Sequence, residues 1–263
     1  MQPDEGQDPS VELTPEVISP EPPAEEIIAP AVVTREPFWN YTDLALVFGL
    51  LFAFSALLLV AVGLLALRYP SIRTDPSAIA MPVQLAFYLG VYLSFWIAFR
   101  LRYHQPVFRS LGWRSPRINL WLVGAGGFVL AFVLSALGSL LRTPKIDLPF
   151  NQFTNTPWSL ALFTIVAVVL APIFEEMFFR GFIQPLLSRT FGTIAGILIT
   201  ACLFGALHGF EYSWVWQYAL FITLAGVVFG WLRERTNSII PSTLMHGCFN
   251  AVSVVALAFG KNI

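Results

Sequence analysis

Residues 158–187 read WSLALFTIVAVVLAPIFEEMFFRGFIQPLL, and this stretch decides the fold. It begins with 17 residues free of charge and then places Glu175, Glu176 and Arg180 inside the same apolar run. A run this long exceeds what a soluble core requires and matches the roughly 20 residues that cross a bilayer as a helix. A charge at the centre of such a helix costs ~2.5–3.5 kcal/mol on insertion scales, so it faces a polar interior or a partner. The stretch therefore predicts a membrane helix carrying either chemistry or the supports of chemistry.

Working outward, six further apolar segments can be drawn, at approximately 42–67, 78–99, 119–141, 193–210, 214–232 and 238–258. Backbone groups in hydrocarbon must be satisfied internally, so each segment is expected to be helical. Composition agrees: 56% of residues are apolar and 12% charged, with a mean hydropathy of +0.70, against roughly 25% charged in soluble domains. A water-soluble globule is excluded. The expected fold is all-α, a polytopic membrane bundle of about seven transmembrane helices spanning residues 37–263. Gly124, Gly126 and Gly127 are expected to let helices approach closely. Trp39, Tyr41, Trp121, Trp158, Trp214 and Trp216 stand near segment ends, where they read as interfacial anchors. Cys202 and Cys248, the two cysteines, read as buried free thiols.

The formal charge of -1 hides two regions. Residues 1–36 hold nine acids against one base, Arg35, with Glu21-Pro22-Pro23 at the centre. Such a segment cannot bury enough apolar area to offset its ordering entropy and reads as a disordered, acidic, Pro-rich cytoplasmic tail. It lacks the basic start and apolar core of a secretory signal. No basic stripe points to nucleic acid. Counting the tail and alternate loops as one side places nine Lys and Arg there (Arg35, Arg100, Arg102, Arg109, Arg114, Arg117, Arg189, Arg233, Arg235) and five on the other. The positive-inside rule then puts the amino terminus in the cytoplasm; in a bacterium the membrane would be the plasma or inner one.

Within the membrane segments the informative groups are Glu175, Glu176, Arg180, His208, His246 and Asn250. Glu176 and Arg180 stand four apart with the acid first, the favoured order for a same-face helical pair, so they read as a supporting ion pair. Glu175 points about 100° away from Glu176. Without a local cation it is the acid left to act as a general base; the plainer reading is a protonated acid bonded to a neighbouring helix. Phe204 and His208 share one face, as do His246 and Asn250, and the latter two can offer adjacent donors to an oxyanion. Glu175, His208 and His246 meet only if segment four runs past Arg180 toward Pro185 and segment five past His208.

Three motifs in order, Glu175-Glu176-x-x-x-Arg180, Phe204-x-x-x-His208 and His246-x-x-x-Asn250, resemble those of the CAAX-prenyl-endopeptidase and bacteriocin-processing (CPBP, or Abi) family of intramembrane proteases. The stretch Asn237-Ser-Ile-Ile-Pro241-Ser is similar as well, and the resemblance covers about residues 158–255. It implies an intramembrane endopeptidase, formally a metalloendopeptidase, that hydrolyses a peptide bond in a membrane-associated protein or peptide. Carried over, Glu175 is the base, His208 its partner, His246 and Asn250 the oxyanion hole, and Glu176 with Arg180 complete the motif. The implied cofactor is none, or one divalent metal such as zinc held by Glu175, His208 and His246; no His-Glu-x-x-His helix is present. Rival readings are a proton-coupled transporter, which would normally show repeats and paired broken helices, and a non-catalytic membrane scaffold.

Overall fold

The structure is a computed structural model describing Met1, residues 37–74 and residues 77–260. The chain divides into two units, Met1–Arg35 and Glu36–Ile263; the acidic tail, Met1 apart, lies outside the described residues. The second unit is an all-helical membrane bundle with no strand among the described residues. Its main helices are α1 (Tyr41–Arg68), α2 (Ser77–Phe95, continuing as a π-helical turn Trp96–Leu101), α3 (Leu120–Leu140), α4 (Pro157–Phe191), α5 (Thr193–Leu207), α6 (Trp216–Thr236) and α7 (Ile240–Ala258).

Six of these are long and apolar enough to cross a membrane, against about seven expected. The seventh segment is helical as α6 but is less apolar. Gln217 and Tyr218 open it, and Arg233-Glu234-Arg235 close it.

α4 organises the rest. At 35 residues it is roughly 50 Å long, well beyond the ~30 Å hydrocarbon layer. It is interrupted by two π-helical stretches, Val166–Leu170 and Met177–Ile183. A proline follows each closely: Pro172 and Pro185 have no N–H, so the carbonyls four and five residues before them lose a helical donor. Such carbonyls are tolerated in a membrane helix when neighbouring helices take them up. Asn250 Nδ2 of α7 donates to Ala167 O at 2.9 Å, and Arg233 Nε of α6 donates to Arg180 O at 3.1 Å. Each bulge is thus a docking point for another helix.

Close approach does the remaining positioning. A Cβ on Gly247 would lie 2.6 Å from the Val168 carbonyl, so α7 lies directly against the first bulge. A Cβ on Gly127 would lie 2.8 Å from Cys248 Cβ, which brings α3 onto the far side of α7. Gly192 turns the chain from α4 into α5 at φ +86°, a conformation open to glycine.

The start of α1 is stapled to the end of α2. Asn40 and Asp43 form a capping box, and buried Asp43 also accepts from Tyr103 Oη at 2.7 Å and pairs with Arg102 at 3.2 Å. Trp39 departs from its expected interfacial role. It is buried among Phe99 and Phe182 and donates its indole N–H to Phe182 O at 3.1 Å. Trp121, Trp158, Trp214 and Trp216 are exposed at or beside helix starts. Both cysteines are free, but Cys202 is exposed rather than buried, because it lies on the outer face of α5, and Cys248 is half-buried.

Candidate active site

The short α-helical turn Ala171–Glu176, between the two bulges of α4, carries Glu175 and Glu176 near the middle of that helix. π-Bulges frequently mark functional sites. Glu176 and Arg180 are fully buried and joined at 2.9 Å. The guanidinium also donates to Gly226 O at 3.1 Å and lies 4.4 Å from the Phe204 ring centroid. Four residues on, buried Gln184 repeats the pattern, its Nε2 donating to Gly230 O and to Glu234 Oε1, both at 3.0 Å. A polar ladder of Glu176, Arg180 and Gln184 on α4 therefore meets Gly226, Gly230 and Glu234 on α6, both at four-residue spacing. A Cβ at Gly226 would be 3.0 Å from Arg180 Nη2, and one at Gly230 would be 2.7 Å from Gln184 Oε1.

His246 connects this buried charge to Glu175. Its Nδ1 is 3.1 Å from Glu176 Oε1 and its Nε2 is 3.6 Å from Glu175 Oε2. Glu176, bound to Arg180, is a carboxylate and can only accept, so His246 Nδ1 carries the hydrogen. In the neutral ring Nε2 is then the free lone pair, and it faces Glu175. Phe229 stacks on the imidazole with centroids 4.8 Å apart, and Phe204 meets it edge-on at 5.6 Å. Glu175 keeps about a quarter of its side chain accessible, whereas Glu176 is sealed. The two adjacent acids therefore stand in different settings, one locked in an ion pair and one open.

His208 arrives from the other arm of the α4–α5 hairpin. Glu175 lies 17 residues before Gly192 and His208 lies 16 after it, placing both at about 25 Å from the turn. The α-helical part of α5 ends at Leu207, and a 3-10 turn His208–Phe210 carries the span just past His208, as expected. The chain bends at Gly209, against the ring of Trp214. His208 Nδ1 is held 2.8 Å from Phe204 O, and its ring meets the Phe204 ring at 4.6 Å. Both histidines thus pack on Phe204. Glu175 nevertheless approaches His246 rather than His208.

Asn250 sits one turn beyond His246 and spends one amide hydrogen on Ala167 O, leaving the second hydrogen available. The sequence reading missed Gln184, Glu234 and Arg233, which extend the ladder, and Glu211 just past His208. Burial pushes the Glu211 carboxyl above the usual carboxylate range; His208 opposes the rise and the charge of Glu175 adds to it.

The metal reading needs Glu175, His208 and His246 together. Two of them approach each other, but His208 does not join them. Among the described residues no group of three His, Cys, Asp or Glu side chains is placed to hold a metal ion.

The bundle and its cluster define a polytopic integral membrane protein with a buried group of Glu, Arg and His side chains around its longest helix. Residues 157–252, rather more than a third of the chain, match the family described as Rce1-like, Type II CAAX prenyl endopeptidase Rce1-like. That match supports the CAAX-protease family read from the three motifs, and with it the general class of CAAX-protease-like intramembrane endopeptidases. No curated protein and no solved structure matches the chain.

Proposed function

We propose that this protein cleaves a peptide bond of a membrane-associated protein or peptide, with Glu175 as the general base and the amino terminus of the chain in the cytoplasm. The observation that carries the reading is the chain Arg180–Glu176–His246–Glu175, in which a sealed ion pair fixes an imidazole beside an open carboxylate.

In this reading a water beside Glu175 gives its proton to the carboxylate as its oxygen bonds to the scissile carbonyl carbon. The carbonyl oxygen becomes the tetrahedral oxyanion, facing the second amide hydrogen of Asn250 and a protonated His246 Nε2. Collapse breaks the C–N bond, and Glu175 returns the proton to the leaving amine, giving a carboxylic acid and a free amine. His208, the partner of Glu175 in the family resemblance, is held here by Phe204 O and shares the Phe204 ring with His246. Glu176 and Arg180 touch no reacting atom; Arg180 fixes Glu176, and Glu176 orients His246 by accepting from its Nδ1, as the buried acid of a catalytic triad does. The burial of these groups supports the mechanism, because low dielectric strengthens donors aimed at developing charge.

The test is purified protein with a panel of quenched membrane-anchored peptides, some carrying a prenylated carboxy-terminal cysteine. Cleavage to a single new amine terminus is the expected result. Proton flux in proteoliposomes without cleavage would place the cluster in a transporter, and neither activity would make the protein a scaffold.

A further inference from the structure

At the end of α2, outside the catalytic cluster, lies a cleft of about 870 Å³. This volume is in the range of ligand sites rather than of packing defects. Trp96 and Arg100 of α2, four residues apart, form one wall; Phe108, Arg109, Trp113 and Arg114 of the following loop form the other. The membrane-crossing stretch Ile79–Leu101 ends beside it and the next begins at Leu120, so the cleft sits at headgroup level.

Its charge is uncompensated. No Asp or Glu occurs between Asp75 and Asp147. Among the described residues Arg100, Arg109 and Arg114 have no carboxylate partner; Arg102 is taken by Asp43. Arg100 reaches only the carbonyl of His104, at 3.4 Å. Arg233 lies near enough to Arg114 for their charges to oppose one another, and its own carboxylate partner, Glu234, is shared with Gln184. Three arginines therefore line one cleft together with Trp96, Phe108 and Trp113 at the edge of the bilayer. Arginine forks match phosphate oxygens in geometry and in charge, and basic pockets beside transmembrane helices are where anionic headgroups bind.

We propose that this cleft binds an anionic membrane amphiphile, one whose headgroup phosphate has no cation of its own. The phosphate is seated on Arg100, Arg109 and Arg114, and the acyl chains leave past Trp96 and Phe108 into the bilayer. The same loop is built into the frame of the catalytic cluster. Leu111 O packs so closely on Gly181 in the second bulge of α4 that a Cβ there would be 2.7 Å away. Gly112 O accepts from Ile239 N at 3.0 Å and Arg114 O from Ser238 Oγ at 2.6 Å, at the turn that leads into α7 and His246. A bound lipid therefore holds the loop against both helices that carry the acid–base groups, and its thermal effect is independent of any catalytic role.

The experiment uses the full chain in neutral detergent, titrated with short-chain phosphatidylglycerol, short-chain phosphatidylcholine or inorganic phosphate. Tryptophan fluorescence and melting temperature are the readouts. Phosphatidylglycerol is expected to bind saturably and raise the melting temperature while phosphatidylcholine does not. Arg109→Gln/Arg114→Gln should weaken binding by at least about tenfold, the scale of one lost charge-assisted bond, and Arg109→Lys/Arg114→Lys should retain part of it. A response to phosphatidylglycerol alone identifies the lipid as the source; a saturable response to inorganic phosphate as well extends the site to soluble phosphate esters. Equal responses to the two lipids, or unaltered binding in the Gln variant, overturn the proposal. If the double variant is not recovered folded, Arg109→Gln alone, at an exposed position, carries the same comparison.

Discussion

His246 Nδ1 lies 3.1 Å from Glu176 Oε1, on the carboxylate oxygen that Arg180 also holds. The imidazole on α7 is thus oriented by an ion pair on α4, and its other nitrogen is turned toward Glu175. This relationship sets two adjacent glutamates in different environments, one sealed in an ion pair and one partly open, and the proposed roles of support and base rest on that difference.

Removing either member of the sealed pair should destabilise the protein. Glu176→Gln leaves the Arg180 charge buried without its counter-charge, and Arg180→Ala does the same to Glu176. Each should lower stability by about 3–5 kcal/mol, read as a reduced melting temperature in detergent, with activity falling as well. An unchanged melting temperature with activity lost would instead give these residues a direct part in the chemistry.

Gly247→Ala should act by moving a helix. Its Cβ has no space beside the Val168 carbonyl, so α7 must shift away from the first bulge and carry His246 with it. Turnover should fall by more than tenfold, and overpacking should cost about 1–3 kcal/mol. Gly49→Ala, where nothing lies within 4 Å, serves as the comparison and should be silent. Equal behaviour of the two variants would remove the close approach from the account.

Asn250→Ala separates an anchor from a donor. If the second amide hydrogen meets the oxyanion, kcat should drop by roughly 10²–10³ with little change in KM. A lowered melting temperature with kcat intact would reduce Asn250 to its bond with Ala167. His246→Gln, which keeps a donor, should retain more activity than His246→Ala. Stoichiometric zinc in the parent protein, lost in both His246 variants, would refute the hydrogen-bonding role.

The sequence made the helices legible because hydrocarbon permits few alternatives: 20 apolar residues must be helical, and segment edges fell within a few residues of the observed ones. The Glu176–Arg180 pair was legible for a similar reason, since spacing along one helix fixes which side chains meet. Contacts between helices were not. Periodicity does not tell which helix faces which: the family resemblance pairs Glu175 with His208, and the structure also brings its carboxylate to 3.6 Å from His246. Trp39 was read as an anchor from its place before α1, yet it fills an aromatic cluster and caps the Phe182 carbonyl. Pro172 and Pro185 were visible signals whose meaning was missed, because a proline reports the carbonyls it frees but not the residue that takes them. Gln184 and Glu234 extend the four-residue ladder and could have been found by continuing the spacing one turn further.

The most direct test of the central claim is the cleavage rate of a quenched membrane-anchored peptide by the parent protein and by Glu175→Ala, with the melting temperature of both recorded. Glu175 is partly accessible and outside the sealed pair, so the variant should melt near the parent temperature and show no cleavage above background. Cleavage by Glu175→Ala at the parent rate would contradict the assignment of Glu175 as the base.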